Sequence, residues 1–197
     1  MGDLHDLDMV LGNMTRALDA LEQCREFGIL VPEVRVNMAY AMAGAKTTAE
    51  IAAIDGRISV VRGCPKAAGL PRFGVSDHLA RLILEARKYD PGVNACINFR
   101  CDSDVIETVK RFCKTHALSF GFIDRTNEPE EVMAKDGASM PWKVKQMVER
   151  GGVVPRLFYE GDGWGKEPLF VALGNDAVEV VDIACAIARD HHSRHHR

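Results

Sequence analysis

Residues 71–100 read PRFGVSDHLARLILEARKYDPGVNACINFR, and this stretch decides the fold. Leu79, Leu82, Ile83 and Ala86 fall on one face at helical spacing, so Ser76 to Tyr89 reads as an amphipathic helix. Ser76 stands in the N-cap position, where a hydroxyl accepts from a backbone N–H one turn in. Asp77 and His78 then occupy the first turn, just after Gly74, a residue that permits an unusual backbone conformation. Asp90-Pro91-Gly92 breaks the helix, and Asn94 to Phe99 follows as a short apolar run of strand type. A helix that hands over at once to a buried strand indicates α/β layering.

The same alternation extends outward in both directions. Arg35 to Met42 and Ile58 to Arg62 read as strands upstream. Downstream come a helix from Ser103 to His116, a strand from Leu118 to Ile123, and short helices over Glu128 to Lys135 and Pro141 to Arg150. Strands over Arg156 to Tyr159 and Leu169 to Leu173 precede a closing helix from Asp176 to Arg189, capped by Asn175 or Asp176. At the other end, Leu4, Leu7, Leu11, Met14, Leu18 and Leu21 make one apolar stripe on a helix with Asp3 as its N-cap. The stripe spans fewer than three heptads, which suits a docking helix or a homodimer contact better than an independent coiled coil. The expected organisation is an N-terminal helix over 1–30, one α/β domain over 31–189, and a disordered His/Arg-rich tail over 190–197.

Composition narrows the function. With 25 Lys and Arg against 28 Asp and Glu, the 197-residue chain carries a net charge of −3, which argues against a general nucleic-acid binder. The longest near-apolar run, Met38 to Ala45, is far below the ~20 residues of a membrane span. The opening MGDLHDLDMV has no basic n-region, so a secretory signal is not expected there. The six cysteines show no CxxC spacing, and the expectation is reduced, mostly buried thiols in a cytoplasmic protein. Four of the seven histidines sit in the terminal DHHSRHHR, and His5 and His116 read as peripheral, which leaves His78 in the informative context.

Several motifs bear on chemistry. The N-terminus of the Ser76 helix offers free N–H groups and a dipole that together favour an anion and a neutral imidazole at His78; equally, Ser76 and Asp77 can simply cap a helix that His78 packs against. Arg57, Arg62, Lys66 and Arg72 fall within sixteen residues broken by Gly and Pro, a loop surface suited either to phosphate or to plain solvation. Asn98 and Arg100 lie at the end of a buried strand, where α/β proteins build ligand sites. Asp124 and Arg125 end the next strand, with an internal Asp–Arg pair as the structural alternative. GDGWGKEP invites a P-loop reading that fails, because Glu160 and Glu167 stand where Walker A needs Gly and Ser or Thr. A flexible loop presenting Lys166 to a phosphate stays open.

At these residues the chain resembles the thiamine-phosphate synthase domain of the archaeal type (ThiN), from about Pro32 to Ala188. The resemblance rests on VPEVRVNMAYAMAGA, IAAIDGRI, RFGVSDHLARLILEARKYDP, INFR, FIDR, SMPWKV and GWGKEPLFVALG occurring in order. It implies a three-layer α/β/α domain around a mixed β-sheet, similar to the class II aldolase fold. It also implies a transferase that joins hydroxymethylpyrimidine diphosphate to hydroxyethylthiazole phosphate, giving thiamine phosphate and pyrophosphate, with magnesium brought by the diphosphate. That family's functional arginine and histidine fall on Arg57 and His78. Asn37, Arg72, Gly74, Ser76, Asn98, Arg100, Asp124, Trp142 and Lys166 are the substrate-binding candidates, with metal ligands unassigned. The family's kinase partner domain is not in this chain, so the pyrimidine diphosphate would come from elsewhere. Similar domains also serve as thiamine-phosphate sensors in regulators; the presence of both Arg57 and His78, and the lack of a complete DNA-binding domain ahead of Pro32, favour the enzyme.

Overall fold

The computed structural model describes residues 4–129, 131–132, 138–161 and 167–195. Among them, a seven-stranded mixed sheet runs in the order β5-β2-β1-β6-β9-β8-β7. Its strands are β1 (Met38–Ala41), β2 (Ile51–Ile54), β5 (Pro71–Phe73), β6 (Ala95–Arg100), β7 (Phe120–Ile123), β8 (Leu157–Glu160) and β9 (Leu169–Gly174). Every pairing is antiparallel except β7 with β8. A separate hairpin, β3 (Ile58–Val61) and β4 (Cys64–Ala67), stands beside the sheet.

Helices cover both faces, which gives the three-layer α/β/α arrangement. On one face α2 (Asp77–Ala86) packs against β1, β6 and α4 (Ser139–Gly151). On the other, α5 (Ala177–His195) runs between α1 (Leu4–Gln23) and α3 (Ser103–His116) and lies over β6 and β9. The central strand β6 is buried on both faces, as its apolar run requires. Three strands escaped the sequence reading. β2 is a short continuous apolar run, IAAI, without alternation, while β4 and β5 carry Pro65 and Pro71.

The N-terminal stripe is spent inside the chain. Val10, Met14, Ala17, Leu18 and Leu21 are buried, each larger side chain contributing about 1.5–3 kcal/mol, while Leu4 at the helix start is 77% exposed. Asn13 of α1 also accepts from the N–H groups of Ala177 (3.0 Å) and Val178 (3.3 Å), capping α5 from a distance, and Asp176 Oδ1 accepts from Glu179 N. Of the expected 1–30 segment, the part from Leu7 to Leu30 thus contributes to the common core.

The expected disordered tail is corrected over Asp190–His195, where α5 continues. His191 is buried and shares a 3.1 Å hydrogen bond with Thr108 Oγ1, while Asp190 pairs with Arg111 at 2.6 Å. These contacts seat the last turns on α3, which composition alone could not show. Of the helix expected over Glu128 to Lys135, residues 131–132 are helical and 128–129 are not, while 130 and 133–135 lie outside the described residues. No described helix is long and apolar enough to cross a membrane.

Candidate functional site

A cavity of about 320 Å³ opens on the α2/α4 side of the sheet, lined by residues from the loop before β1, the turn after β2, α2, β6, β9, β8, α4 and the turn after β7. Of the residues singled out in the sequence, Arg57, His78, Asn37, Ser76, Asn98 and Arg125 line it. From β1 to β8 is three interstrand steps, about 14 Å at ~4.8 Å each, more than one phosphate spans.

At the β1/β2 end, the turn Asp55-Gly56-Arg57 carries two successive left-handed residues, Gly56 at φ 78° and Arg57 at φ 74°. A non-glycine there stores about 1–3 kcal/mol of strain, a cost met where a side chain must be aimed. Arg57 Nη1 donates to Val34 O at 3.1 Å, and among the described residues Arg57 has no carboxylate partner. Val34 is itself fixed by Glu167, whose two oxygens accept from the backbone N–H groups of Glu33 and Val34 at 3.1 Å each. The glutamate that disqualifies a Walker A loop is therefore a clasp at the rim of the cavity.

Gly74, at φ 74°, turns the chain from β5 into α2 and is not itself a lining residue. Ser76 holds the N-cap position with extended backbone but makes no side-chain cap hydrogen bond, contrary to expectation; it lines the cavity with His78 instead. Asp77 is turned aside, bonded to Arg81 at 2.8 Å. The helix end thus meets the cavity through Ser76, His78 and Leu79.

Asn37 and Asn98 line the cavity as braces. Asn37 Oδ1 accepts from Met38 N (2.8 Å) and Ile54 N (3.0 Å), and its Nδ2 donates to Ile54 O. Asn98 Oδ1 accepts from Asn37 N at 2.8 Å, and its Nδ2 donates to Arg35 O. These amides replace ladder bonds where the chain enters β1 through Arg35, a left-handed residue at φ 69°.

The β8/β7 end is built from ion pairs that sequence reasoning missed. Lys143 of α4, its side chain 3% exposed, bonds Glu160 at the end of β8, 12% exposed. Arg125 (8%) pairs with Glu128 (1%) at 3.1 Å, and Glu128 also accepts from the Ser139 hydroxyl. Burial pushes the Glu128 carboxyl up, but the hydrogen bonds from Ser139 and Arg125 and the charges of Arg125 and Lys143 outweigh it, holding it below the usual glutamate value. The missed signal was a lysine on the apolar face of α4, in register with Met140, Val144 and Met147.

The remaining candidates lie outside the lining. Arg72 bonds Asp55 at 3.0 Å on the surface, bracing the turn that carries Arg57. Arg100 bonds Asp102 and donates to Ile29 O at 3.0 Å. Asp124 accepts from Thr126 and faces Arg150 at 3.6 Å, so the expected Asp124–Arg125 pair is replaced by Asp124–Arg150 and Arg125–Glu128. Trp142 packs on the core one residue before Lys143, the residue that reaches the cavity. Lys166 lies outside the described residues.

All six cysteines are free, five of them buried and Cys64 half-buried. The neighbouring Cys185, against the opposing effect of burial, draws the Cys24 thiol down to about 7. Neither sulfur lines the cavity. Among the described residues, no three His, Cys, Asp or Glu side chains gather where they could hold a metal ion.

The thiamine-phosphate synthase ThiN family model matches residues 13–186, which include every described lining residue of the cavity. The chain belongs to the ThiN family. It is 34% identical over 185 residues to thiamine-phosphate synthase ThiN of Methanothermobacter thermautotrophicus, covering 94% of this chain and 95% of that protein. It is 35% identical over 175 residues to the bifunctional thiamine biosynthesis protein ThiDN of Methanocaldococcus jannaschii, covering 88% of this chain and 39% of that longer protein. A crystal structure of the C-terminal domain of a phosphomethylpyrimidine kinase superposes with a TM-score of 0.87 at 31% identity, covering 91% of this chain and 98% of that one. The sheet and cavity described above are therefore those of a ThiN domain.

Proposed function

We propose that this ThiN protein is a thiamine-phosphate synthase, joining hydroxymethylpyrimidine diphosphate to hydroxyethylthiazole phosphate. The carrying observation is Arg57, a cation that has no carboxylate partner among the described residues, sharing one cavity with Ser76 and His78 at the start of α2. In the reaction the C–O bond between the pyrimidine methylene and the diphosphate breaks, its electron pair leaving with the diphosphate oxygen. The aminopyrimidine stabilises the resulting cation, and the thiazole nitrogen lone pair forms the new C–N bond.

What this chain's residues contribute is charge and position. Arg57 and the α2 N-terminus oppose the charge growing on the leaving group, fixed in place before the reaction starts. His78 donates a hydrogen bond to the departing oxygen, and the apolar walls Val34, Leu79, Leu169 and Val171 hold the two rings together away from water. Glu160 and Glu167, the two lining carboxylates, are engaged by Lys143 and by backbone N–H groups. That donor set fits a magnesium ion held chiefly by substrate phosphates and water, where it would offset phosphate charge.

The test is a product assay with both phosphorylated substrates and magnesium. Equimolar thiamine phosphate and pyrophosphate are expected. Tight binding of thiamine phosphate without turnover would overturn the reading and leave a sensor.

A further inference from the structure

We propose that the Lys143–Glu160 pair recognises the base of the pyrimidine substrate, Glu160 accepting from its exocyclic amino group and Lys143 donating to the adjacent ring nitrogen. This rests on the synthase reading above. A buried ion pair is a poor stabilising device, because desolvation offsets its attraction and an apolar pair often serves as well. The pair here also faces an open cavity rather than a sealed core.

Its neighbour provides the contrast. Glu128 is saturated, taking Arg125 through one oxygen and Ser139 through the other. Glu160 takes Lys143 through Oε2 alone, and Lys143 spends one of three N–H donors; among the described residues neither has a further hydrogen-bond partner. One acceptor and two donors are therefore left at this end of the cavity, side by side and with no net charge. Such an edge suits a neutral ring with a donor beside an acceptor, as a 4-aminopyrimidine has, and suits a phosphate poorly. Leu169 and Val171 of β9 supply an apolar surface for the ring between this pair and the Arg57 end.

The experiment is equilibrium binding by calorimetry of hydroxymethylpyrimidine monophosphate and its 4-deamino analogue, neither of which undergoes the reaction. Wild type is expected to prefer the amino compound by about 30-fold, the range of hydrogen bonds to charged groups. The double variant Lys143→Met/Glu160→Leu is expected to lose that preference to within about 3-fold while binding inorganic pyrophosphate as wild type does. If that variant does not fold, Lys143→Gln/Glu160→Gln is measured instead, with a preference at least about 5-fold smaller than wild type expected. A wild type that turns over substrate yet ignores the amino group, or a folded double variant that keeps the full preference, overturns the inference. A wild type that makes no thiamine phosphate overturns the synthase reading instead, so the two failures are separable.

Discussion

The two ends of the cavity are made of different materials. Arg57 and His78 stand at the ends of local structure, a strained turn and a helix start, and both are exposed; among the described residues Arg57 has no carboxylate partner. Lys143, Glu160, Arg125 and Glu128 have buried side chains that pair with one another across helix, strand and turn. The first end has charge to spend on a ligand and little role in holding the fold. At the second end, removing one charge strands its buried partner, so a single substitution there acts on stability first. Function and stability should therefore respond in opposite ways to substitution at the two ends.

The largest effect is expected at the first end. Arg57→Ala and His78→Ala should each lower kcat by at least about 100-fold while leaving stability within about 1 kcal/mol, read by steady-state assay and urea unfolding. Arg57→Gly should be as inactive yet no less stable than Arg57→Ala, because glycine accepts the left-handed turn freely. An active Arg57→Gly enzyme would break the contrast. At the second end, Lys143→Met should cost about 3–5 kcal/mol in urea unfolding by leaving Glu160 buried and unpaired, and adding Glu160→Leu should recover most of it.

Acid should also tell the ends apart. Glu128 is held below its ordinary value, so its stabilising contribution is complete above that value and is lost as pH falls through the lowered one. Wild type should lose more urea stability between neutral pH and pH ~3 than Glu128→Gln does; equal losses would mean the Arg125–Ser139 cluster is not coupled to folding. The smallest effect belongs to Arg72→Ala. Its exposed pair with Asp55 should be worth under about 1 kcal/mol, with kcat lowered only a few-fold through a looser Arg57 turn.

The contrast also explains what could be read from the sequence. Arg57 and His78 belong to local signals, an Asp-Gly turn and a Gly-x-Ser start to an amphipathic helix, each complete within a few residues. Helices α2 and α3 and strands β6 and β9 were legible for the same reason. At the second end only Arg125 was legible, as a strand-end residue, because the contacts of 143 with 160 and of 128 with 139 join residues from separate elements, and a lone Lys or Glu in a window carries no sign of its partner. Asn37 and Asn98 were found at the right place for another purpose, since side-chain amides that replace strand pairing look like ligand donors until their partners are seen. Arg72 and Arg100 were drawn in by proximity in sequence; each is turned toward a nearby aspartate.

The last turns of α5 set the physical extent of the molecule apart from its recognisable extent. The family-model match ends at residue 186, yet Asp190 and His191 clamp the helix to α3. A gene trimmed to the matched span would encode a protein missing a wall of its own interior, with Thr108 and the apolar floor beneath it opened to water. Appending residues beyond the helix is the gentler manipulation, and any shortened version is best cut no earlier than the residue that fills that gap, His191.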